Sequence, residues 1–199
     1  RFPSNPMSDG NVYDEDYFLR GQQTGKSLYD NYRWMPELTI PMAQAIMDHL
    51  QAGPKDHVLD FGCARGYLVK ALQELGYHAM GYDVSRWAVE NAHPDVAYQV
   101  TDLWGMLPDA VDWVIAKDVL EHLEPDELRE TIPKLLSKAA KGVFIVVPVA
   151  VDIGKFADRL RYYVVPEYER DVTHQSRYTY DEWHELCREL SGPAFRVFS

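Results

Sequence analysis

Hydrophobic positions change period repeatedly along the chain, and those changes divide it into short elements. The stretch 41–50 places Ala43, Ile46, Met47 and Leu50 on one helical stripe, closed by Gly53-Pro54. Residues 57–61 (His-Val-Leu-Asp-Phe) form a short apolar run that predicts a strand, and 67–75 returns to a helical pattern ending at Gly76. The alternation continues with strand 78–82, helix 86–91 stopped before Pro94, strand 96–100, strand 111–116, helix 125–138 and strand 143–147. Pro125 suits the opening turn of its helix, whereas Pro133 is expected to kink or split it. The strand at 143–147 is apolar on both faces, as at the centre of a parallel sheet. A last helix is expected over 181–190, capped by Thr179 with Glu182 three residues on.

Strand and helix in alternation predict an α/β fold: a doubly wound, mostly parallel sheet with helices on both faces, Rossmann-like. Ligands of such sheets bind beyond the carboxyl ends of the strands, so those residues are the ones to read for chemistry. Only 194–198 is left after the last helix, so the sheet is expected to lack a terminal strand, and an open edge favours a homodimer. Residues 1–35 are polar and rich in rings (Tyr13, Tyr17, Phe18, Tyr29, Tyr32, Trp34) and fit neither a core strand nor a regular helix.

The 199 residues are 46% apolar, enough for one ordinary domain with a real core. No apolar run approaches the roughly 20 residues that cross a bilayer, which argues against a membrane protein. With 20 basic and 31 acidic side chains the net charge is -11, which speaks against nucleic acid as partner. Two cysteines, Cys63 and Cys187, make no disulfide framework and point to a reducing, cytoplasmic compartment.

The first strand runs into Asp60-Phe61-Gly62-Cys63-Ala64-Arg65-Gly66. Small residues at 62, 64 and 66 let the turn approach a ligand closely. A dinucleotide-binding turn would carry its third glycine one residue later, where Tyr67 stands, and Asp60 would repel a pyrophosphate. The turn therefore suits a cationic ligand without phosphate, such as S-adenosylmethionine. The second strand ends at Asp83, placed to accept both hydroxyls of a ribose. The third leads into Asp102-Leu103, an acid for an adenine amino group and an apolar cover for its ring. The fourth ends in Lys117-Asp118-Val119-Leu120-Glu121-His122. Any one of these acids alone reads equally well as a solvated loop carboxylate or a helix cap; four at successive strand ends do not.

VLDFGCARG, GYDVS, VTDLW and VIAKDVLEHL resemble, in order and spacing, the motifs of the class I S-adenosylmethionine-dependent methyltransferases. The resemblance is close over about 56–148 and departs at Ala64, where many members have glycine. It implies that Asp60, Gly62, Cys63, Ala64 and Gly66 surround the methionine moiety of S-adenosyl-L-methionine. It also implies Asp83 on the ribose, Val84 against the adenine, Asp102 and Leu103 at the adenine edge, and the Lys117 backbone near the amino-acid end. Arg33 could reach the cofactor carboxylate from an N-terminal lid or cap spanning 1–40. The cofactor-binding domain would then be 41–199, with 152–176 inserted on the acceptor side.

Asp118, Glu121 and His122 fall on one face of a helical turn, and His174 follows later. Similar turns with a later histidine occur in methyltransferases that bind a divalent cation, including small-RNA 2′-O-methyltransferases. By that resemblance Asp118, Glu121, His122 and His174 would hold a metal such as Mg²⁺. The competing reading has His174 or His122 acting catalytically without a metal, since such turns are widespread in metal-free members. Arg159, Arg161, Tyr162, Tyr163, Tyr168 and Arg170 suit an acceptor with an anionic group and a flat or sugar-like body, or simply a solvated helix surface. The expected activity is methyl transfer to a small-molecule acceptor, most simply at the oxygen of a sugar, nucleotide-sugar or polar metabolite. The alternatives are an RNA-end 2′-O-methyltransferase-like enzyme with a metal, an NAD-dependent oxidoreductase, and a non-catalytic cofactor-binding scaffold. Two features are set aside: Gly21–Ser27 has the wrong spacing for a phosphate loop, and Cys63 has only Arg65 to activate it.

Overall fold

The computed structural model describes residues 10–150 and 172–192. Five parallel strands lie in the order β3-β2-β1-β4-β5: β1 (His57–Phe61), β2 (His78–Tyr82), β3 (Val100–Thr101), β4 (Val111–Lys117) and β5 (Ala139–Val146). The order reverses between β1 and β4, and that switch point is where a doubly wound sheet opens a crevice. β1 is the central strand, and Val58, Leu59, Asp60 and Phe61 are all buried on it.

Two apolar layers cover the sheet. On one face α3 (Pro36–Leu50) and α4 (Tyr67–Glu74) pack Ala43, Met47, Val69 and Leu72 against Val58 and Ile115. On the other, α6 (Pro125–Lys138) and α7 (Tyr180–Ser191) pack Leu128, Ile132, Leu135, Trp183 and Leu186 against Leu59, Phe61 and Val114. No helix among the described residues is long and apolar enough to cross a membrane.

Several expectations are corrected. The first long helix begins at Pro36 rather than 41, because Pro36 opens it and Pro41 falls near its start. The third strand is only Val100–Thr101: Pro94 instead starts a tight 3₁₀ turn, Pro94–Val96, whose Asp95 N–H is accepted by His93 Nδ1. Pro133 neither splits nor ends α6, since it lies on the exposed face, where the carbonyl it leaves unpaired can meet water. Among the described residues β5 is flanked by β4 alone and its apolar positions are half-buried, so it is not a central strand there. The ring-rich N-terminal stretch contains two short helices, α1 (Glu15–Leu19) and α2 (Gly21–Thr24), held by packing among rings. The arginine-tyrosine stretch expected on the acceptor side, from 156 to 170, and 194–198 lie outside the described residues. Between α4 and α6 lies α5 (Arg86–Glu90), which begins just after the tip of β2.

Candidate functional site

The chain leaves β1 by a turn that only glycine accommodates at its first position. Gly62 has φ +81°, and a Cβ there would stand 2.5 Å from Val119 Cγ2. Ala64 also lies in the left-handed region, at φ +47°. Its N–H donates to Asp83 Oδ2 at 2.6 Å, while Ser85 N–H donates to Asp83 Oδ1 at 2.7 Å. The tips of β1 and β2 are thus joined through one carboxylate.

Asp60 and Asp83 are both buried. Burial pushes Asp60 up to about 7, the neighbouring Asp83 adds to the shift, and Lys117 opposes it. Burial likewise lifts Asp83 to about 6 against the two backbone N–H groups it accepts from. Cys63 is buried under the turn, and burial followed by the two carboxylates pushes its thiol well up, which suits packing and not nucleophilic attack.

A shallow, open cleft lies above these tips. Its floor is Gly62, Ala64, Asp83, Val84, Asp118, Val119 and His122, and its opposite wall is Tyr13, Tyr17, Phe18 and Tyr29 from the N-terminal stretch. That stretch is pressed onto the strand tips. A Cβ on Gly10 would come within 2.2 Å of the Val84 carbonyl oxygen, and Ser85 Oγ donates to the Tyr13 carbonyl.

At one end of the cleft the turn Leu120–His122 meets 172–178. Gln175 and Ser176 N–H groups donate to the Glu121 carbonyl, and Ser176 Oγ donates to that of Leu123. His122 Nδ1 lies 3.2 Å from the Thr173 carbonyl oxygen, and its ring meets that of His174 edge-on at 4.8 Å. His174 Nε2 is 3.9 Å from Glu121 Oε1, and Glu121 is only 2% exposed. One ligand-capable atom each from Glu121, His122 and His174 lies within 4.8 Å of the others, a spacing that could hold a metal ion.

A family model described as "Methyltransferase domain" matches residues 36–190. The chain belongs to the class I S-adenosylmethionine-dependent methyltransferases. The fold is similar to that of a SAM-dependent methyltransferase from Archaeoglobus fulgidus, with a TM-score of 0.60 at 20% identity over 81% of this chain and 70% of that one. It is similar to a methyltransferase of Bacillus halodurans, TM-score 0.57, at 17% identity over 74% of this chain and 67% of the other. It is also similar to the mycolic acid cyclopropane synthase CmaA1 solved with SAH and CTAB, TM-score 0.61, at 15% identity over 82% and 62% of the two chains. No curated protein sequence matches the chain.

The methyltransferase's own residues fit this cofactor. Asp60 is buried and outside the cleft lining; burial disfavours its charge and Lys117 favours it, so a cation brought near it by a ligand would favour the charge further. Gly62, Ala64, Asp83 and Val84 line the cleft together. Gly66 is buried behind them at the head of α4, and Asp102 and exposed Leu103 stand beyond β3 outside the cleft lining. Lys117 ends β4 and pairs its ammonium with Asp118. Asp118 lines the cleft at φ +52° but is not part of the group formed by Glu121, His122 and His174. Arg33 is exposed and does not line the cleft. In the loop at Gly21–Ser27, Lys26 pairs with Asp14 and Ser27 Oγ donates to the Tyr17 carbonyl.

Sequence reasoning missed Arg65. Its Nε donates to the Asn91 carbonyl at 2.7 Å and its Nη1 to the Tyr32 carbonyl at 3.3 Å, while the guanidinium lies over the rings of Tyr67 and Trp87. The only signal was its place inside the glycine turn.

Proposed function

We propose that this methyltransferase transfers the methyl group of S-adenosyl-L-methionine to a hydroxyl of a small polar acceptor, a sugar or nucleotide-sugar being the class the sequence favours. In this reading Asp60, Gly62, Cys63, Ala64, Gly66 and the Lys117 backbone enclose the methionine part. Asp83 and Val84 take the ribose and one adenine face, and Asp102 with Leu103 takes the adenine edge. The acceptor oxygen attacks the methyl carbon in line with the breaking carbon–sulfur bond, leaving neutral S-adenosylhomocysteine. The cofactor is already activated, so alignment and removal of the hydroxyl proton are what the protein supplies.

The observation that carries the reading is His122 lining the cleft with Nδ1 against the Thr173 carbonyl. Thr173 Oγ1 also lies 3.0 Å from Nδ1; in the tautomer that donates Nδ1–H to the carbonyl, Nε2 is the basic nitrogen that takes the acceptor proton. His174 meets it edge-on, and buried Glu121 lies beside His174. A second reading, from the spacing of Glu121, His122 and His174, has these three hold a divalent cation that lowers the acceptor pKa.

Release of S-adenosylhomocysteine from a panel of sugars, nucleotide-sugars, phenols and amines, with and without chelator, tests both. Turnover on hydroxyl acceptors that survives chelator supports the histidine base, and turnover abolished by chelator supports the metal. Activity confined to amines would contradict oxygen as the target. The variant His122→Ala is expected to lose about 10²–10⁴-fold in turnover, the scale of a general base, with cofactor affinity kept.

A further inference from the structure

Arg65 joins three segments through one side chain. It sits inside the turn that leaves β1, between Ala64, whose N–H binds Asp83, and Gly66, which heads α4. Its Nη1 holds the Tyr32 carbonyl of the N-terminal stretch, its Nε holds the Asn91 carbonyl after α5, and its own carbonyl accepts from His93 N–H at 2.9 Å. The guanidinium lies 5.6 Å from the centre of the Tyr67 ring and 5.9 Å from that of Trp87. Both rings also pack on the N-terminal stretch: Tyr67 against Tyr32 at 5.0 Å, and Trp87 stacked on Phe18 at 5.4 Å.

The N-terminal stretch depends on such a tie. It is built from five- and four-residue helices, too short to be stable alone, and its residues Tyr13, Tyr17, Phe18 and Tyr29 make the wall of the cleft. Asn31, at φ +54°, turns the backbone so that the Tyr32 ring enters the cluster while its carbonyl faces Arg65. Tyr32 is half-buried, with Tyr29, Asp60, Tyr67 and Cys63 among its ionisable neighbours, so it lies beside the turn that leaves β1.

We propose that Arg65 is a positioning residue that latches the N-terminal stretch to the cofactor turn, so that cofactor binding and closure of residues 10–34 are one coupled event. A cofactor that orders the turn fixes Arg65, and a fixed Arg65 offers the Tyr32 carbonyl a ready donor. By linkage the closed stretch strengthens cofactor affinity to the same degree. The inference rests on the cofactor and not on the acceptor, so it stands or falls separately from the oxygen-methylation reading.

The test uses S-adenosylhomocysteine as probe on the full chain and reads trypsin cleavage after Arg20, Lys26 and Arg33 by mass spectrometry, alongside calorimetric affinity. In the wild type, saturating S-adenosylhomocysteine is expected to slow these cleavages about tenfold. Arg65→Met, which keeps the apolar stem, is expected to weaken affinity about tenfold and to lose that protection even at saturation. Arg65→Lys, keeping charge but not the two-pronged donor, should fall between them and guards against a misfolded Met variant. A merely structural role would lower the melting temperature while leaving saturated protection intact. Equal protection in Arg65→Met and wild type, or none in the wild type, overturns the coupling.

Discussion

At the amino end of the sheet, Asp56 and Asp112 are surrounded by donors. Asp56 accepts from Lys141 Nζ at 2.6 Å, Trp113 Nε1 at 2.9 Å and Gly53 N–H at 3.0 Å, and Asp112 accepts from His57 N–H and Lys141. Hydrogen bonds hold both carboxyls below their ordinary value, Lys141 foremost for Asp56 and the His57 backbone foremost for Asp112. At the carboxyl end, Asp60 and Asp83 are both buried, and burial pushes both up. The same residue type on one sheet thus serves two purposes. The pair at the amino end is held by cations and donors, whereas at the carboxyl end Asp83 has two backbone donors and Asp60 has none among the described residues, so burial outweighs what stabilises their charge.

The two ends predict opposite pH behaviour. A carboxyl held low contributes stability above its unfolded value of 3.8 and loses it as pH falls through its folded value, which is the case for Asp56. Carboxyls held high contribute stability that is complete below 3.8 and lost as pH rises through about 6 for Asp83 and about 7 for Asp60. The ligand-free protein therefore gives up stability at its functional end as it approaches neutral pH.

The largest effect is expected at Asp83, whose replacement by alanine removes the acceptor for Ala64 and Ser85 N–H and the one proposed for the ribose. Calorimetry of Asp83→Ala should show cofactor affinity weaker by about 1–3 kcal/mol, and wild-type affinity would count against the site. Next, Asp60→Asn should raise the ligand-free stability at pH 8 by about 1–2 kcal/mol, because an amide is cheaper to bury than a carboxylate. Its counterpart Asp56→Asn should lower stability by about 1 kcal/mol and leave cofactor affinity within about twofold. Denaturant unfolding of both variants checks this contrast, and a fall in stability at both sites would erase it. Smallest is Ala64→Gly, which relieves a left-handed alanine at the cost of a looser unfolded chain. A net gain of about 0.5 kcal/mol is expected in thermal unfolding, and a clear loss would mean the φ of +47° carries no strain.

The strands and the acids at their tips were legible because burial on both faces leaves an uninterrupted apolar run, and a charged residue ending such a run stands out. His57–Phe61 and His78–Tyr82 match the pattern residue for residue. The strand expected at 96–100 failed because Val96 and Val100 carry the right spacing while Pro94 forces a turn and Tyr98 is left 99% exposed. The N-terminal stretch was legible only as rings without a period, since its shape comes from contacts with Trp87, Tyr67 and His122, which belong to distant parts of the chain. Arg65 was hidden for the same reason: its partners Tyr32 and Asn91 are joined to it by the fold alone.

The most direct measurement is the affinity of S-adenosylmethionine between pH 5.5 and 8, by calorimetry in buffers of different ionisation heats. A cationic end seated beside Asp60 predicts proton release on binding below pH 7 and affinity that rises about tenfold across this range before levelling, with the slope flattened in Asp60→Asn. An affinity independent of pH, or the same rise in Asp60→Asn as in the wild type, would contradict it.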